Sequence, residues 1–158
     1  MTDGTGRTTV DSATPDPTLR TVDLARTREM AYLATNVRGG TLAVGDGSSE
    51  DFTPVELLMV ALAACGAIDL EHVTRKRADA TGLTARVEGH KIRDEQGNRL
   101  TGLTVALDVD FPDGPEGDAA RAVVPRTLRM IEERLCTVGR TVTVGDHVRY
   151  VEGRSAQA

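Results

Sequence analysis

One stretch constrains the fold of this chain more than any other. Thr53-Pro54-Val55-Glu56 opens it, and an apolar run from Leu57 to Ile68 comes next, with Cys65 and Gly66 inside. Thr53 suits an N-cap, Pro54 suits the first helical position, and Glu56 falls three residues after the cap. In this capping-box pattern each side chain satisfies the other residue's orphan backbone N–H. The pattern predicts a helix to about Asp79, before Gly82, roughly 40 Å at 1.5 Å per residue. Its N-terminal two thirds is apolar nearly all round. Such a helix has to be covered on several sides, by a sheet and by whatever else the assembly offers, a second subunit included.

The flanking sequence supplies the sheet. Leu19 to Arg26 alternates with period two and reads as a strand, with Glu29 to Val37 as its hairpin partner. Thr41 to Val44 reads as a short third strand after Gly39-Gly40. Leu83 to Arg93 and Leu100 to Phe111 read as two more, joined across Asp94-Glu95-Gln96-Gly97-Asn98, a hairpin signal. A second helix is predicted from about Gly117 to Cys136, kinked or restarted at Pro125. Thr141 to Val151 alternates again and reads as a closing strand. The order implies an α+β fold with antiparallel sheets. Residues 1–18 are rich in Thr, Asp, Gly and Pro and are expected to form a disordered tail. Residues 19–152 are read as one domain and 153–158 as a frayed end.

A net charge of −5 argues against nucleic acid as a partner, because phosphates reward clustered Lys and Arg. Arg75-Lys76-Arg77, the one dense cationic run, reads as a solvated helix C-terminus. No stretch is taken to approach the roughly 20 apolar residues of a membrane span, and the first residues have no apolar core of a secretory signal. The expected compartment is the cytoplasm, where thiols are kept reduced, so free or redox-active cysteines are favoured over a static disulfide. No glycine-rich nucleotide loop is present, and nothing suggests a bound cofactor.

Chemistry therefore rests on few residues. There is no Trp, and there are three His and two Cys. On residue type alone, Cys65 and Cys136 read equally as small buried hydrophobes or as working thiols. Two motifs add to this. Pro54-Val55-Glu56-Leu57-Leu58 with Ala61-Leu62-Ala63-Ala64-Cys65 and Ala67-Ile68-Asp69 after it resembles the central-helix motif of the OsmC/Ohr family, the osmotically inducible and organic hydroperoxide resistance proteins. Leu135-Cys136-Thr137-Val138-Gly139-Arg140-Thr141-Val142 resembles that family's second-cysteine motif. The likeness spans roughly Leu19 to Val151.

The resemblance implies an intertwined homodimer, with sheets from both chains wrapped around long central helices. It implies a thiol peroxidase acting on an organic hydroperoxide. Cys65 would attack, Cys136 would resolve, and an external dithiol such as a lipoyl protein would reduce the resulting disulfide. It also implies an arginine from the partner chain beside the attacking thiol. Arg38 is the candidate, with Arg26, Arg28 and Arg140 in competition. Cys65 lies roughly 18 Å along the helix from Thr53, too far for the helix dipole to stabilise a thiolate.

One position departs from the family pattern. The peroxidases carry a glutamate directly after the proline, where this chain has Val55, and Glu56 comes one residue later. Nine residues at about 100° each set Glu56 roughly 180° from Cys65. Asp69 and His72 fall four and seven residues after Cys65 and share its face. Asp69 reads either as an orienting group or as a carboxylate bonded across a dimer, and His72 as a base or an exposed polar residue. A zinc site from Cys65, His72 and Cys136 lacks a fourth ligand. The reading from a different class is a protein of the same fold that holds a small apolar ligand without peroxide turnover.

Overall fold

The structure, a computed structural model, describes residues 16–152. The expectations for residues 1–15 and 153–158 lie outside the described residues. The chain gathers into two compact units, one ending at Phe52 and one beginning at Thr53.

The first unit is an antiparallel meander of β1 (Val22–Arg28), β2 (Ala31–Asn36) and β3 (Thr41–Val44), in that order. These are the three strands expected from the alternation. The β2–β3 turn is built by one side chain: Asn36 Oδ1 accepts from the backbone N–H of Arg38 at 2.9 Å and of Gly40 at 3.1 Å. Gly39 sits between them at φ +82°, a conformation in which a Cβ is strained. Beyond β3, Val44 bridges Phe52, and Gly45 N–H donates to the Phe52 carbonyl.

The second unit holds α1 (Pro54–Thr74), the hairpin β4 (Gly82–Asp94) and β5 (Gly97–Asp110), and a C-terminal helical segment. α1 begins as the sequence requires. Thr53 N–H donates to Glu56 Oε2 at 2.7 Å, and Glu56 N–H donates to Thr53 Oγ1 at 3.3 Å. Leu62, Gly66, Leu70 and Thr74, four residues apart, form its buried stripe. The helix ends at Thr74 rather than near Asp79. The Thr74 hydroxyl bonds back to the Leu70 carbonyl, and the N–H groups of Arg77 and Ala78 turn onto the Thr74 carbonyl. Ala78 is then buried with Phe111 and Ala120, and that burial takes the chain off the helix axis.

By length and composition α1 is apolar enough to cross a bilayer, which corrects the expectation that no stretch approaches a span. Here its stripe packs on β4, β5 and the C-terminal helices. The tight β4–β5 turn has Asp94 opposite Gly97, with Gly97 at φ +100°. Leu103, Val105, Leu107 and Val109 alternate as the half-buried face of β5.

The second helix, α2, runs from Pro115 to Met130 straight through Pro125, so it does not restart there. The irregularity comes later, as a π-helical turn over Ile131–Leu135 in which Cys136 N–H donates to the Ile131 carbonyl. The closing strand expected over 141–151 is also corrected: Thr137–Val144 forms a helix, α3. Cys136 caps it, and the Thr141 and Thr143 hydroxyls bond back to the Thr137 and Gly139 carbonyls. The cap at Cys136 starts a helix that runs against the strand preference of the β-branched residues. After Gly145 at φ +76° the chain has no strand pairing among the described residues.

Candidate functional site

The site is built wholly within the second unit. α1 contributes Cys65 and, one turn later, Asp69, which share a face because they are four residues apart. Cys136 arrives from the junction of the π turn and α3. The extra residue in a π turn shifts the helical phase of the residues after it, and such turns recur at functional sites. Here the result is convergence: the Cys65 sulfur, an Asp69 carboxylate oxygen and the Cys136 sulfur all lie within 4.8 Å of one another. The floor beneath them is Leu70 and Ile131, with Leu107, Val109 and Val138 packed against it. At Gly66 an added Cβ would sit in ordinary van der Waals contact with Leu107 at 3.5 Å and Ile131 at 3.8 Å, so the space beside the pair admits a methyl group.

The two thiols are free and differ in environment. Cys65 is half-buried, whereas Cys136 is buried. Burial raises the pKa of Cys136 above the ordinary thiol range, and the hydrogen bond and charge of Cys65 and the charge of Asp69 add to this. The Gly139 N–H donates to the Cys136 sulfur at 3.2 Å and opposes the shift in part. Cys136 is thus set to keep its proton. Asp69 is unusual in another respect. Its Oδ2 is buried and has no hydrogen-bond partner among the described residues.

A cavity of about 500 Å³ opens beside the pair, lined by Leu62, Gly66, Leu107, Ile131 and Cys136, with Arg129 and Glu132 at its edge. Sequence reasoning missed three participants. Arg129, in α2, and Glu132, in the π turn, carry no signal beyond helical phase. Gly139 was legible in principle, because a donor three residues after a capping side chain is the spacing of any N-cap.

Glu56 and His72, of the same unit, lie outside the cluster. Glu56 is engaged in the helix cap, and its carboxyl is held below the usual range by the Thr53 N–H and hydroxyl. His72 is exposed, so the zinc set weighed from the sequence changes: Asp69, not His72, stands with the two cysteines. Those three groups could ligate a metal, but they make three ligands where a structural zinc site takes four. Arg38, Arg26 and Arg28 belong to the first unit, where Arg38 is exposed on the β2–β3 turn. Arg140 is in the second unit, half-buried, and its N–H donates to the Cys136 carbonyl.

Comparison with known proteins fixes the family. A family model described as OsmC-like protein matches residues 45–150, two thirds of the chain and all of the site. The chain belongs to the OsmC-like family. An uncharacterized protein of Mycobacterium tuberculosis is 34% identical over 128 residues, covering 78% of this chain and 88% of the relative. Among solved structures, an OsmC-like protein of unknown function from Vibrio cholerae aligns with a TM-score of 0.65 at 12% identity, over 78% of this chain and 92% of that one. An organic hydroperoxide resistance protein OsmC from Legionella pneumophila, also described as a predicted redox protein, aligns with a TM-score of 0.53 at 15% identity, over 80% and 90%. At these identities the solved structures bear on fold alone, and the fold is the OsmC-like combination of helices and antiparallel sheets.

Proposed function

We propose that this OsmC-like protein is a thiol-dependent peroxidase that reduces organic hydroperoxides through Cys65 and Cys136. The observation that carries the reading is the convergence of two free thiols with unequal burial. The Cys65 thiolate attacks the outer peroxide oxygen, the O–O bond breaks, and the alcohol leaves after taking a proton. Cys65 is now a sulfenic acid. Cys136 condenses with it, forming a disulfide and releasing water. An external dithiol, such as a lipoyl group, returns both thiols by exchange. The apolar wall of the cavity suits the organic part of the peroxide.

The OsmC/Ohr resemblance assigns Arg38 of a second chain to stabilising the thiolate, and with it a cytoplasmic homodimer. Apolar surface on α1 supports that assembly: Val60 is 46% exposed and Ile68 64%. Treating the reduced protein with one equivalent of cumene hydroperoxide should consume both thiols and yield a Cys65–Cys136 disulfide in the peptide map. Cys65→Ser should abolish peroxide turnover, and turnover that survives this change would sink the proposal.

A second reading is a protein of this fold that holds a small apolar ligand and does not turn over peroxide. It is favoured by the same cavity and by a carboxylate beside the thiols, which disfavours thiolate. Both thiols remaining free after peroxide, with an apolar ligand retained in native mass spectra, would select it.

A further inference from the structure

Resting on the peroxidase reading, we propose that Asp69 is a catalytic residue of the resolving step: it takes the proton of the Cys136 thiol and returns it to the hydroxide leaving Cys65. The geometry comes first. The Asp69 carboxylate oxygen lies within 4.8 Å of both sulfurs, so one group reaches the proton donor and the site of the leaving group. Its Oδ2 is buried with no hydrogen-bond partner among the described residues. A buried, unpartnered carboxylate oxygen costs free energy on desolvation and gives no structural bond in return. It does have a free lone pair in a cluster where a proton has to move.

The chemistry explains the need. A thiol is a poor nucleophile until it loses its proton, and burial holds the proton on Cys136. Hydroxide is a poor leaving group from sulfur unless it is protonated as it departs. Asp69 meets both requirements in turn. Cys136–SH gives its proton to the Asp69 carboxylate, and the sulfur attacks the Cys65 sulfur. The S–S bond forms, the Cys65 S–O bond breaks, and the Asp69 proton goes to the departing oxygen as water. Atoms and charge balance, Asp69 ends as it began, and the only oxidant is the hydroperoxide already consumed.

Neighbouring groups do not fill the role. The Gly139 N–H only donates, His72 is exposed and outside the cluster, and Glu132 is exposed at the cavity edge.

The experiment tracks both steps in the full chain, using quenched-flow and intact mass after one equivalent of cumene hydroperoxide. Wild type should pass quickly through the sulfenic acid to the disulfide. Asp69→Asn should still be oxidised at Cys65 but close the disulfide more slowly, on the order of 10²-fold, a typical loss of general acid–base help. Its sulfenic acid should persist and react with dimedone, as in Cys136→Ser. Asp69→Ala should regain closure as formate is added, which a merely structural role for Asp69 would not produce. Thermal melts check that each variant folds, and Asp69→Ser carries the same measurement if Asp69→Asn does not. Disulfide closure at the wild-type rate in Asp69→Asn overturns the assignment. A wild-type protein whose thiols survive the peroxide overturns the peroxidase reading beneath it.

Discussion

Gly66 and Gly117 both lie in helices and are both buried, yet alanine should have opposite effects at the two positions. At Gly66 a new Cβ would meet Leu107 Cδ1 at 3.5 Å and Ile131 Cγ2 at 3.8 Å, ordinary van der Waals distances. Nothing has to move, and a small gap is filled. Replacing glycine by alanine inside a helix gains about 0.5–1 kcal/mol through the lost freedom of the unfolded chain. At about 2–4 °C per kcal/mol for a chain this size, the melting temperature should rise by roughly 1–4 °C. At Gly117 the same Cβ would stand 1.8 Å from the Pro112 carbonyl oxygen and 2.9 Å from its carbon. That clash is with backbone, and relieving it requires shifting the start of α2. Overpacking of this kind costs about 1–3 kcal/mol, sometimes more. Chemical denaturation of both variants at one fixed protein concentration measures the difference. A Gly66→Ala protein less stable than wild type would mean that α1 packs on β5 less openly than described. An unperturbed Gly117→Ala would refute the close approach of α2 to Pro112.

The site and the helix cap carry further predictions. Thr53→Ala removes half of the capping box and should cost about 1 kcal/mol of stability in a melt, while leaving peroxide oxidation of Cys65 intact. The raised pKa of Cys136 has a definite sign. Its contribution to stability is complete below the unfolded-state value of 9.0 and is lost as pH rises through the higher folded value. Stability should therefore fall above about pH 9, and Cys136→Ser, titrated the same way, should flatten that limb. If thiols do the chemistry, EDTA should leave peroxide turnover unchanged. Added Zn²⁺ should inhibit it by holding Cys65, Asp69 and Cys136, with recovery on chelation as the readout.

Where local chemistry decides structure, the sequence was readable. The capping box, the Asp94–Asn98 turn and the period-two strands all rely on neighbours in the chain, and the structure reproduces them. The errors lie where two local preferences compete. Val142, Val144, Val148 and Tyr150 alternate like a strand, but the first part lies in α3, which starts at the Cys136 cap. Pro125 was expected to interrupt α2, whereas the break falls at Ile131–Leu135, where no single residue marks it. At the site, the helical spacing of Cys65 and Asp69 was legible, and so was the opposite placement of Glu56. That Asp69 and not His72 would join Cys136 was not, because it depends on the phase set by the π turn.

That phase also bears on the division of labour between the two thiols. Were α2 to run regularly to Cys136, without the π turn, the direction of its side chain would change by roughly 100°, about a quarter of a turn. With the π turn present, Cys136 is pressed onto Leu70 and Ile131 and capped by the Gly139 N–H, while Cys65 keeps partial access beside Leu62 and Gly66, which line the cavity. The cavity is lined by Cys136 and not by Cys65, so the asymmetry rests on burial: Cys136 is buried and holds its proton, and Cys65 is the more exposed thiol. The asymmetry needed for one cysteine to attack and the other to resolve is therefore a product of packing. Burial first, and then the charge of Asp69, works against thiolate at Cys136. The space at Gly66 gives this position a second measurable role, because an added Cβ would already contact Leu107 and Ile131. A side chain larger than alanine at Gly66 should push the Cys136 segment outward and slow disulfide closure before it slows the oxidation of Cys65.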